Sequence, residues 1–307
     1  MSAHTEHAPP GYRRGLRLRI ERVMDDDIIA AEVAQKARLR ALIVPREHGA
    51  WGLLFVPLFT GLAVGLAPAY HVGWLLLFTA AAFFLFWLRT PVESLIGSGV
   101  ISAHTSLERR TAAIASGLLG VAAVACLADL LWGGRNGQLV YIGVIAGVAL
   151  ALQTALRRMG RDFRMASQLT GAVALTATAP AAYYLGTGRL GGAALTLWIA
   201  NWLFAWNQIH FVQLRIHAAK AARFAEKFAS GRYFFAGQLL LLAALVAGVL
   251  GRLTTPLSIL AFVPTLFRGT RWFFSAPQPL NVRKLGWSEM RQGIAFGVLL
   301  AVALLLG

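Results

Sequence analysis

Long apolar stretches separated by short basic connections constrain this chain more than any other feature. Crossing the hydrocarbon of a bilayer takes roughly 20 consecutive apolar residues as helix. The chain offers nine such candidates, at 48–67, 72–89, 111–132, 138–157, 165–185, 191–212, 232–251, 254–268 and 289–306. Charged residues make up 14% of the 307-residue sequence, against about a quarter in soluble domains. The expected fold is therefore an all-α, polytopic transmembrane bundle of about nine helices. The eighth segment is short and holds Pro264, which predicts a half-helix or a kinked span, entered by Thr255 at the N-cap and Pro256 at the first helical position.

Basic residues resist translocation and collect on the cytoplasmic side. Of the 29 Lys and Arg, 26 fall in the N-terminal arm or in the connections after segments two, four, six and eight; only Arg135, Arg189 and Arg252 fall on the other side. The bias and the segment count agree on an N-terminus inside and a C-terminus outside. A formal net charge of +16 is explained by this distribution, so no nucleic acid is expected as a partner. Gly11–Arg22 carries five arginines and no apolar core, which argues against a cleaved signal peptide. The domain reading is a basic amphipathic arm over 1–42, lying on the cytoplasmic leaflet, followed by the bundle over 43–307. Cys126, the only cysteine, sits in an apolar run, so neither a disulfide nor a Cys-based metal site is expected.

Polar residues within spans are costly and usually face a bundle interior or a wet cavity. In "ANWLFAWNQIHFVQLRIHAAK", Asn207, His210, Gln213 and His217 recur at helical spacing and share one face of a helix leaving the bilayer. Two readings stand: these residues line a cavity, or they solvate an emerging helix end. His210 and His217 lie two turns apart, about 10 Å, too far to ligate one ion together, and no metal site is assigned. In "TPVE" and "TSLE", Glu93 and Glu108 fit capping boxes with Thr90 and Thr105. Arg89 either snorkels to headgroups or points inward at an anion. Segment five, rich in Gly, Ala, Ser and Thr, suits close helix contact. The loop 267–287, which holds Arg271, mixes basic and aromatic residues and reads either as a positive-inside loop or as an interfacial lid.

The stretch "IVPREHGAWGLLFVPLF", residues 43–59, puts Pro45, Glu47, His48 and Gly49 at the door of the first span. Pro45 and Glu47 suit a helix start. Gly49 leaves room for a neighbour, and His48 falls on the same side of the bilayer as His210.

"PREHGAWGLLFVP" resembles the opening signature of the YwiC-like family of bacterial integral membrane proteins, and the likeness continues weakly in "NWLF" and "FVQLRIH". Gln213 and His217 stand where similar proteins carry Lys and Arg. A more distant likeness is to the UbiA-type intramembrane prenyltransferases, which look like nine-helix bundles with a polar cytoplasmic cavity. Their paired Asp motifs, which hold Mg²⁺ against a diphosphate, are absent here; Glu93 and Glu226 stand alone at those places.

The resemblances imply a cytoplasm-facing cavity that takes an isoprenoid or other lipid-like substrate, with membrane lipids as surroundings and prenyltransferase-like activity if the protein is an enzyme. Glu47, His48 and His210 are the candidate proton-transfer or anchoring groups, and Arg89, Glu93, Asn207, Gln213, Arg215, His217 and Arg271 the candidate substrate-binding ones. No cofactor is assigned. The competing reading is a non-enzymatic transporter or assembly factor for a lipid, a quinone or haem, the last held by His48 and His210.

Overall fold

The structure, a computed structural model, describes residues 29–45, 48–66, 72–99, 101–134, 137–219, 221, 223–275 and 280–306, without the side chains of residues 48–50 and Arg161. Among these residues every regular element is helical: α1 (29–43), α2 (His48–Leu66), α3 (Val72–Ile96), α4 (Ser106–Ala128), α5 (Gln138–Arg158), α6 (Arg164–Thr176), α7 (Thr178–Thr187), α8 (Gly192–His217), α9 (Phe224–Leu250), α10 (Leu257–Phe274) and α11 (Val282–Leu306). Five are long and apolar enough to cross a membrane: α3, α4 with its π-helical extension to Gly133, α5, α9 and α11. The chain is a multi-pass, all-α membrane protein.

The sequence-based boundaries shift for local reasons. Segment five is two helices, α6 and α7, separated at Ala177. Pro180 has no N–H to give the Thr176 carbonyl four residues back and its ring crowds that carbonyl, so a new helix starts with Pro180 in its first turn, where the missing donor is harmless. Segment two runs past its expected end at residue 89, through Pro91 to Ile96. Thr90, Pro91 and Glu93 are helix interior, so the capping-box reading of Glu93 is wrong. The stop comes at Gly97, whose φ of 75° is the left-handed value that glycine adopts freely. Ser98 N–H then reaches back to Glu93 O at 3.0 Å, the long bond of a Schellman cap. The expected box at α4 does form: Thr105 Oγ1 accepts from Glu108 N–H at 3.1 Å and Glu108 Oε2 from Thr105 N–H at 3.3 Å. Pro264 does not interrupt α10. Pro256, with φ −55° and ψ −31°, is already helical at its start, as expected of a first-turn proline.

The chain divides into two compact units, residues 1–46 with 85–121, and residues 47–84 with 122–307. Within the first, α1 is tied to the α3 and α4 segments. Trp87 Nε1 donates to Ile43 O at 2.9 Å, Ser94 Oγ to Leu42 O at 3.2 Å, and Arg38 pairs with Glu108. That carboxylate raises the Arg38 guanidinium further above its ordinary range, mainly through the hydrogen bond.

Within the second unit a core of Leu197, Phe204, Leu241, Phe262, Phe296 and Leu300, each 3% exposed or less, joins α8, α9, α10 and α11. The expected close contact of segment five is met where α7 crosses α2. A Cβ on Gly61 would stand 2.3 Å from Ala179 O, and one on Gly186 2.2 Å from Gly65 O. Beside this crossing, Asn201 Nδ2 of α8 donates to Thr60 Oγ1 of α2 at 2.9 Å.

Candidate functional site

On α8 the residues Asn201, Phe204, Gln208, Phe211 and Arg215 recur at alternating spacings of three and four, a single seam along the helix. From Phe204 onward this seam meets α10 and α11. Phe204 stacks on Phe296 with ring centroids 4.0 Å apart. One turn along, Gln208 Nε2 donates to Glu289 O at 2.9 Å. Next, the Phe211 ring lies under the Arg268 guanidinium at 4.1 Å, and Arg215 comes within electrostatic reach of both Arg268 and Glu289.

Arg268 of α10 and Glu289 of α11 form an ion pair with side chains 13% and 8% exposed. Removing both charges from water is expensive, and the pair offsets this only where the remaining polar atoms are satisfied. They are not. Arg268 Nε and Nη2 and Glu289 Oε2 are buried with no hydrogen-bond partner among the described residues. Two arginines against one carboxylate leave a local excess of positive charge, with two guanidinium donors open. An anion with two or more acceptor oxygens is what such donors recognise.

The sequence-nominated residues divide. Asn207 is 1% exposed, and both atoms of its amide lack a partner among the described residues. His210 is half-buried, its ring 4.9 Å from that of Trp206. Gln213 donates to Gln168 Oε1 of α6 at 3.0 Å. His217 is exposed and its Nδ1 lies 2.7 Å from Gln213 O, which fits the emerging-helix reading for that end. Arg215 joins the buried pair; Arg271 is exposed. In the other unit Arg89 Nε donates to Glu93 Oε1 at 2.8 Å, an i,i+4 pair along α3. Glu47 and the His48 side chain lie outside the described residues. Among the described residues no three His, Cys, Asp or Glu side chains come together.

Sequence reasoning missed Arg268 and Glu289. Both sit at the margins of predicted segments, where a charge is ordinarily counted as loop. The signal available was the seam itself, an Asn, a Gln and an Arg at the same spacing as two phenylalanines, since a polar stripe at core spacing demands polar partners on the facing helices.

Comparison with curated proteins and with solved structures finds no match. A model of the family described as YwiC-like protein matches residues 44–183, from the entrance of α2 into α7, and ends before the α8 seam begins. Over that stretch, which opens on the "PREHGAWGLLFVP" signature, the chain is similar to that family.

Proposed function

We propose that this is a multi-pass protein of a bacterial inner membrane, with its N-terminus inside and its C-terminus outside, that binds the anionic headgroup of an isoprenoid or other lipid-like molecule through Arg268 and Arg215. One observation carries the reading: a guanidinium buried inside a membrane bundle, with two of its three nitrogens unpartnered among the described residues. Ionisable side chains that face the interior of a membrane bundle are rare and mark ligand or ion pathways. Phe211 beneath the guanidinium fixes its plane, and Glu289 holds its Nη1, so the open edge is oriented before any ligand arrives.

The enzymatic form of this reading is UbiA-like, a nine-span arrangement carrying out prenyl transfer, with Glu47, His48 and His210 as proton-transferring or anchoring groups. The non-enzymatic form, a transporter or assembly factor, draws support from the α6–α7 break, since interrupted helices recur at transporter binding sites. Lipids extracted from the purified protein and identified by mass spectrometry test the common element. Wild type is expected to retain an anionic lipid that Arg268→Gln loses; equal lipid content in both overturns the proposal. Incubation with an isoprenyl diphosphate and an aromatic acceptor then separates the two forms, because only an enzyme yields a prenylated product.

A further inference from the structure

About one turn from Arg268 the three helices α8, α9 and α10 carry a second set of polar groups, uncharged and more deeply buried. Asn207, Gln238 and Thr265 are 1%, 4% and 1% exposed. Asn207 Nδ2 and Oδ1, Gln238 Oε1 and Thr265 Oγ1 have no hydrogen-bond partner among the described residues.

Helix register puts these three at one level. Helices α8 and α9 run antiparallel, with the Phe211 and Phe234 rings 5.8 Å apart and a Cβ on Gly237 falling 3.2 Å from Trp206. Asn207 and Gln238 therefore both lie one turn beyond the Phe211–Phe234 contact, four residues before one and four after the other. A Cβ on Gly269 would stand 3.0 Å from Phe234 and 3.3 Å from Gln238 Cδ, so the Gln238 side chain lies against α10 one turn from Thr265. Thr265 and Arg268, at i and i+3, share that face of α10. Most described threonines in the helices satisfy their hydroxyl on a carbonyl three or four residues back, as Thr79, Thr111, Thr154 and Thr176 do; Thr265 does not. A buried polar atom left unpaired destabilises the fold, and three at one level are retained only if something else meets them.

We infer that Asn207, Gln238 and Thr265 form a subsite for an uncharged hydroxyl or carbonyl group carried on the same headgroup whose anion is held by Arg268. The inference rests on the headgroup reading above and narrows the ligand. It must bear a neutral hydrogen-bonding group about one helical turn, roughly 5 Å, from its negative charge. A phosphodiester with a polyol substituent has that geometry; a phosphodiester capped by a bare alkyl group does not.

Dioleoyl phosphatidylglycerol and dioleoyl phosphatidylethanol carry the same chains and the same single charge, and only the first has head hydroxyls. Titration of the full-length protein in detergent with each, followed by native mass spectrometry, should show the glycerol lipid bound about tenfold more tightly, the effect of two further hydrogen bonds. In Asn207→Leu/Thr265→Val that preference should vanish with phosphatidylethanol binding unchanged. The lipid-free double variant should melt no lower than wild type, because it removes unpaired polar atoms instead of making them. Equal binding of the two lipids by wild type, or a preference that survives the double substitution, overturns the subsite and leaves the anion site standing. If neither lipid binds better than dioleoyl phosphatidylcholine, the anion reading itself fails.

Discussion

Replacing Glu289 by Leu would leave the Arg268 guanidinium buried against Phe211 with no counter-charge. The pair is 13% and 8% exposed, so solvent screens it little. Breaking one partner of such a pair costs about 3–5 kcal/mol, whereas exchanging both for apolar residues of similar volume is often neutral or stabilising by about 1–4 kcal/mol. Glu289→Leu is thus expected to lose about 3 kcal/mol or more, roughly a hundredfold in the folded-to-unfolded ratio, and Arg268→Met about 2, since it leaves a carboxylate that Arg215 still reaches. The double variant Arg268→Met/Glu289→Leu should recover to within about 1 kcal/mol of wild type. Equilibrium unfolding in mixed detergent, followed by tryptophan fluorescence, measures the cycle. A double variant as unstable as Glu289→Leu alone, or a single loss under about 1 kcal/mol, would refute the claim that two charges are buried as a pair retained for binding and not for stability.

Four other outcomes follow from the geometry. Gly61→Ala and Gly186→Ala push a methyl group into a neighbouring backbone and should each cost about 1–3 kcal/mol, while Gly143→Ala, where a Cβ meets nothing within 4 Å, should stay within about 1 kcal/mol of wild type in the same unfolding assay. Asn201→Leu removes the donor to Thr60 and is expected to lose about 0.5–1.5 kcal/mol, most of it absent in a Thr60→Val background. Arg38→Ala and Glu108→Gln should speed amide exchange in α1 to a similar degree, by no more than about fivefold, because Arg38 is 46% exposed and solvent screens the pair. A Soret band from purified protein, lost in both His48→Ala and His210→Ala, would support the haem reading; a spectrum without one rejects it.

The membrane class and most helix positions were legible because both depend on the same quantity, the length of uncharged sequence between polar breaks. What escaped was decided by contacts distant in sequence. "TPVE" is a sound helix start in isolation, yet with Arg89 bonded to Glu93 along α3 and Ser94 reaching Leu42 of α1, the helix gains more by continuing until Gly97. The polar face read from Asn207, His210, Gln213 and His217 was real as periodicity but spread over different surroundings: Asn207 into the core, Gln213 to α6, His217 to the surface. Only knowledge of which helices flank α8 separates the seam of Gln208, Phe211 and Arg215 from the face beside it. Arg268 and Glu289 are 21 residues apart, and it is the pairing of α10 with α11 that brings them together.

The bare crossing of α2 on α7 limits how a hydrocarbon tail can enter. Where main chain rests on main chain at Gly61 and Gly186, no side-chain rotamer is available to swing aside. The α9–α10 side is different in kind. There a Cβ on Gly269 would meet side-chain atoms of Phe234 and Gln238 instead of main chain. On the headgroup reading proposed above, the α2–α7 crossing is thus the side a tail would find closed, and the α9–α10 side the one bounded by side chains.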